Sequence, residues 1–134
     1  MIEATARLTV TLPEIEGHNR WEVWEREFTF PAPPIRYDWV NLWQRTATQK
    51  GESAFIRSRT WALDGTLSLG LQDINADGRI PPSLRDESGD GGRKVNDVDD
   101  YAGLAEKLRS AGWTLLRRAA QKKYTDIVTA EAID

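Results

Sequence analysis

The sequence contains no cysteine, one histidine and one methionine. The absence of cysteine excludes disulfide bonds, thiolate nucleophiles and thiolate metal ligands. Apolar runs are all short of the length that crosses a bilayer, so we expect no membrane partner. The first residues carry no basic segment followed by an apolar stretch, which predicts a cytoplasmic protein without a secretory signal.

The composition is otherwise that of a globular protein. The chain has 134 residues, of which 40% are hydrophobic and 29% charged, as is typical of a single domain over 1–134. Six tryptophans predict a core that rests on large aromatic side chains. The net charge of −3 is unevenly spread, because residues 73–100 hold eight acidic and four basic side chains. Since this stretch lacks periodicity, it predicts a long acidic loop at about 73–97.

Hydrophobic alternation predicts several strands. Residues 4–12 alternate apolar and polar, which indicates a half-buried strand. Residues 20–30 indicate a second strand, but the apolar positions change from odd to even, which predicts a bulge near 24–27. The runs 54–63 and 66–72 flank an Asp-Gly pair, which predicts a hairpin with a two-residue turn.

Two segments have helical spacing. Asp38 can cap a helix over 38–49, and the apolar side chains of that stretch fall on one helical face. A second helix is predicted over 98–111 with Gly112 as its C-terminal cap, followed by strands over 113–118 and 124–132. One longer helix through 119 is the alternative to the first of these strands. The predicted fold class is α+β, an antiparallel sheet of five or six strands with two helices packed on one face.

The segment from Asp73 to Ile80 resembles the first two-thirds of a calcium-binding loop. Oxygen-bearing side chains recur at every second position and are followed by a glycine, as a hard cation requires. The position where a closing glutamate belongs is Leu84, so a turn stabilised by Asn and Asp side chains is the alternative. The candidate metal site consists of Asp73, Asn75, Asp77 and Arg79. We expect no required cofactor, and calcium is the candidate ion.

Catalytic signatures are few. His18 lies close to Glu14 and Glu16, a combination that could bind a metal ion or act as a general base. No second histidine or cysteine accompanies it, so a solvated loop residue between two strands is the favoured interpretation. We therefore predict that the chain is not an enzyme.

Arginine and tryptophan are the residue types that anchor protein interfaces. Arg57, Arg59 and Trp61 alternate along one predicted strand, so we expect them on one face of the hairpin as a partner-binding site. The alternative is that a second layer of the fold covers this face.

Basic residues near the C-terminus support a different partner. Six bases lie near Trp113 and Tyr124, and bases combined with aromatic rings can bind single-stranded nucleic acid. The six are Lys107, Arg109, Arg117, Arg118, Lys122 and Lys123. The overall acidic charge argues against this alternative.

Together these features favour a small non-enzymatic binding module that acts through protein–protein contacts. An accessory or inhibitor protein of a phage or mobile element is consistent with its size and charge. A calcium-stabilised domain is the first alternative function, and a nucleic-acid-binding protein is the second.

Overall fold

The structure is a computed structural model that describes residues 1–48, 51–75, 93–94 and 101–131. Within these residues there are nine strands and one helix. They are β1 (Ile2–Ile15), β2 (His18–Phe30), β3 (Trp39–Trp43), β4 (Glu52–Trp61), β5 (Leu67–Leu71), β6 (Ile74–Asn75), β7 (Arg93–Lys94), α1 (Tyr101–Ser110), β8 (Thr114–Lys122) and β9 (Val128–Glu131). The predicted α+β class with two helices is wrong, because the described chain is mostly β.

The strands form one sheet in the order β3-β4-β5-β1-β2-β8-β9. Its centre is β1, which is antiparallel to β2 and parallel to both β5 and β6. The sheet is therefore mixed rather than antiparallel. Strands β6 and β7 fall within the loop predicted at about 73–97, and the remainder of that loop lies outside the described residues.

The core lies on one face of β1 and β2. The predicted alternation of β1 is confirmed, and the register places even-numbered residues of β2 beside the buried face, with Trp24 next to Leu8. This register continues without a shift through residues 20–30, so the bulge predicted in β2 is wrong. The irregularity belongs to the ladder between β2 and β8, where Leu116 is the extra residue. The buried residues of β1 are Ala4, Ala6, Leu8, Val10, Thr11 and Leu12.

The helix predicted over 38–49 is wrong, because Trp39–Trp43 form β3 and pair with β4. Val40 and Leu42 are buried while Asn41 is exposed, which is the period of two that a strand requires. Asp38 does not cap a helix but accepts a 2.9 Å hydrogen bond from the Ile35 amide in the preceding turn. Over so few residues the apolar pattern fits both the helical period of 3.6 and the strand period of two. Pairing with β4 decides that the segment is a strand.

The hairpin between β4 and β5 is in the predicted place, but its turn has three residues. The Ala62 amide donates to the Thr66 carbonyl, and Gly65 has a φ of +88° that favours glycine. The Asp64 carboxylate accepts hydrogen bonds from the Thr66 amide at 3.0 Å and its hydroxyl at 2.7 Å. These bonds lower the pKa of Asp64, the amide bond most. The register therefore differs by one residue from the predicted one.

Helix α1 lies within the predicted span and covers one end of the core. Its buried residues include Leu104 and Leu108. It ends at Ser110 and is followed by Gly112, which has a φ of +96°, and the Trp113 amide donates back to the Leu108 carbonyl. Strand β8 follows directly, so the alternative of one longer helix is wrong. In the described part of the chain no helix is long and apolar enough to cross a membrane.

Candidate functional site

Two strand edges face each other across α1. β8 pairs with β2 only as far as Glu25. In the described part of the chain, residues 26–30 of β2 therefore pair only with β1. The other edge is β3, the last of the described strands on that side of the sheet. The Trp113 indole bridges them by donating a 2.9 Å hydrogen bond to the Leu42 carbonyl and packing edge-on against Phe28. The two edges are therefore close to each other at this point, and α1 lies beside both.

A groove of about 900 Å³ lies between these two edges and α1. Three elements line it, with aromatic rings from both strand edges and polar side chains from the exposed side of α1. The ring-bearing residues are Phe28, Phe30, Trp39 and Trp43, and the helix contributes Glu106 and Lys107. A concave site of this volume can bury a ligand or a short segment of a partner.

Cations in the groove are held against its rings. The Arg26 guanidinium lies 4.5 Å from the ring centroid of Phe28, which in turn stacks on Phe30. The Lys107 ammonium lies 5.5 Å from the centroid of Trp43. Such cation–π contacts hold the two cationic side chains against the rings. The groove is thus locally basic on a chain with net negative charge.

An aromatic cluster continues the groove toward solvent. Trp39 is 61% exposed and Tyr37 is 60% exposed, and both rings pack against Phe55 at centroid distances of 5.7 and 5.9 Å. Register places Trp39 directly opposite Phe55 across β3 and β4. A partly packed tryptophan at the rim of a groove combines a large contact area with little freedom to lose on binding.

The predicted partner-binding residues do not share a face. The three-residue turn pairs Trp61 with Leu67 and Arg59 with Leu69, so both lie on the face of those buried leucines. A register shift after Ile56 leaves Arg57 on the opposite face. There it lies 3.9 Å from the Asp73 carboxylate.

Arg59 and Trp61 still form a local exposed pair on β4. The Arg59 guanidinium donates a 2.8 Å hydrogen bond to the Pro34 carbonyl, which anchors the chain between β2 and β3. Trp61 is 47% exposed. These two residues remain a candidate contact surface, and their partner-binding role stays a prediction.

The candidate calcium residues are only partly described. Asp73 lies beside Arg57, and Asn75 is buried in β6, where it pairs with Thr11. Asp77 and Arg79 lie outside the described residues. Among the described residues no group of three metal-binding side chains was found. Calcium binding stays a prediction. Of its four candidate residues, the structure describes Asp73, which lies next to β6, and Asn75, which lies in it.

A second charged cluster joins β2, β8 and β9. The Glu22 carboxylate is fully buried and accepts hydrogen bonds from Arg118 at 2.8 Å and from the Trp24 indole at 3.3 Å. Arg20 donates two 3.0 Å bonds to the Glu131 carboxylate. These bonds lower the pKa of Glu131 and raise that of Arg20. Paired acids and bases of this kind hold strands together, and we assign the cluster a structural role.

The histidine lies at the start of β2. Its Nδ1 is 3.1 Å from the Glu16 carbonyl oxygen, and its neighbour across the sheet is Lys122. The side chain of Glu14 lies outside the described residues. A hydrogen bond from Nδ1 to a backbone carbonyl can fix the tautomer of the ring, and the absence of catalysis stays a prediction.

Sequence reasoning missed the groove because it assigned Trp39 and Trp43 to the buried stripe of a helix. One signal was available, since Arg26, Phe28 and Phe30 alternate at the end of a strand and place a cation beside two rings on one face. The comparison of this chain with protein-family models, curated proteins and solved structures finds no match in any of the three.

Proposed function

We propose that this chain is a non-enzymatic binding module that docks a partner protein in the groove between β2, β3 and α1. The observation that carries the proposal is the groove itself, where stacked cations and a half-exposed tryptophan line one concavity. Aromatic and arginine side chains of this kind supply most of the energy of protein interfaces. A role as an accessory or inhibitor protein of a phage or mobile element is a hypothesis within this proposal.

The test is affinity capture from the native host with a matched pair of tryptophan variants. Trp39→Ala removes the exposed one of the two tryptophans that line the groove. Trp61→Ala removes a comparably exposed tryptophan on the hairpin. We expect Trp39→Ala to weaken capture of the partner at least about tenfold, because truncating an interface anchor costs more than about 1.4 kcal/mol. We expect Trp61→Ala to capture it as the wild type does. Loss with Trp61→Ala and retention with Trp39→Ala would move the site to the hairpin and contradict the proposal.

Binding of nucleic acid in the groove is tested with variants of the groove residues. If single-stranded oligonucleotides bind with strong salt dependence and Trp39→Ala or Lys107→Glu abolishes that binding, the groove serves nucleic acid instead. Retention on heparin alone does not distinguish the two, because the groove is locally basic.

A further inference from the structure

The outer edge of β3 presents backbone groups to the groove. The Ile56 amide donates to the Asp38 carbonyl, so that carbonyl faces β4. Peptide groups alternate in direction along an antiparallel strand, which directs those of Val40 toward β4 and those of Asn41 away from it. Asn41 is exposed and lines the groove. Among the described strands β3 is therefore the last on its side of the sheet, and the backbone donor and acceptor of Asn41 point away from β4 beside a concave surface.

The facing edge of β2 lines the other side of the groove. β3 runs parallel to β1 through β4 and β5, whereas β2 runs antiparallel to β1. A strand added to β3 can run parallel or antiparallel to it, because this sheet already contains both kinds of pair. Exposed strand edges are the sites at which a second polypeptide adds a strand.

The charges of the groove select among peptides. Arg26 and Lys107 outnumber Glu106 in the lining, so the excess of positive charge favours an incoming strand that carries a carboxylate. The rings of Phe28 and Trp39 offer apolar contacts to side chains that alternate with that carboxylate.

We propose that the partner contributes an extended, acidic segment that adds to the outer edge of β3 and pairs with the backbone of Asn41. This inference rests on the proposed function, because it specifies how the same groove holds its partner. The segment bears apolar side chains at alternate positions and a carboxylate for Arg26 or Lys107. Main-chain hydrogen bonds supply affinity, and the stacked cations supply selectivity.

The experiment uses peptides selected from a displayed random library on the immobilised full chain, synthesised with a fluorophore and titrated by anisotropy. Asn41→Pro removes the outward amide, and proline is tolerated in an edge strand where the amide faces solvent. Asn41→Ala is the matched control because it keeps the backbone donor. We expect Asn41→Pro to weaken binding at least about tenfold and Asn41→Ala to change it less than about threefold.

A second measurement does not depend on the folding of any variant. Each backbone amide of the selected peptide is N-methylated in turn and titrated against the wild-type chain. Strand addition predicts losses at every second position, because only alternate amides face β3. Losses without this alternation, or equal affinities of Asn41→Pro and Asn41→Ala, would overturn strand addition.

The outcomes also separate this inference from the proposed function. Peptides or a captured partner whose binding is lost with Trp39→Ala but kept with Asn41→Pro would leave the groove as the binding site and overturn strand addition. Selected peptides insensitive to every groove variant, or an oligonucleotide that displaces them from the groove, would overturn both.

Discussion

Removing the counter-ion of the buried Glu22 carboxylate gives the sharpest stability prediction. The perturbation is Arg118→Met, which keeps much of the aliphatic length but deletes the guanidinium that lies 2.7 Å from that carboxylate. Breaking a buried ion pair by removing one partner costs about 3–5 kcal/mol, because a buried charge is left uncompensated. The Arg118 side chain is 18% exposed, so water can reach part of the site and we expect the lower end, about 3 kcal/mol.

The assay is urea unfolding followed by circular dichroism, with the free energy of unfolding taken by linear extrapolation. Arg117→Met is the matched control, because Arg117 is next to Arg118 in sequence but is exposed. We expect this substitution to change the free energy of unfolding by no more than about 0.5 kcal/mol. The double variant Glu22→Gln with Arg118→Met should recover at least about 1 kcal/mol relative to Arg118→Met, since the buried charge is gone. Equal losses for the two arginine variants would refute the buried-pair interpretation.

Three further predictions concern the pKa of Glu131, the hairpin turn and calcium. Arg20 lowers the pKa of Glu131 in the folded protein. The ion pair between them therefore stabilises the fold at neutral pH, and this stabilisation is lost as the pH falls through the lowered pKa. Glu131→Gln should therefore cost about 1 kcal/mol at neutral pH and nothing in stronger acid, and a difference independent of pH would contradict this. Gly65→Ala should lower the free energy of unfolding in urea by about 1 kcal/mol, because Gly65 has a positive φ. Gly51→Ala tests a different effect, since a Cβ there would contact the backbone of Arg45. The calcium hypothesis predicts a higher melting midpoint in millimolar calcium than in chelator for the wild type but not for Asp73→Asn, and an unchanged wild-type midpoint removes the ion.

Local patterns in the sequence predicted those parts of the fold that depend on neighbouring residues. The alternation of β1 identified its buried face, and Gly112 marked the end of α1, because both depend on one segment and its own periodicity. Of the six tryptophans, Trp24, Trp43 and Trp113 are buried, so the expectation of an aromatic core is partly correct.

Features that depend on partners distant in sequence were not predictable in this way. A two-residue and a three-residue turn at Asp64 have nearly the same sequence signal, yet they place Trp61 on opposite faces. Within the segment predicted as a helix, Trp39–Trp43 form β3 because β4 offers them an edge. The groove needs β2, β3 and α1 together, so no single segment indicates it.

The most direct test of the central claim is hydrogen exchange of the full chain with and without its captured partner. The groove account predicts that amides of 26–30 and 39–43 become protected on binding, while those of 57–61 keep their exchange rates. Protection confined to 57–61, with 26–30 and 39–43 unchanged, would contradict the account and place the partner on the hairpin.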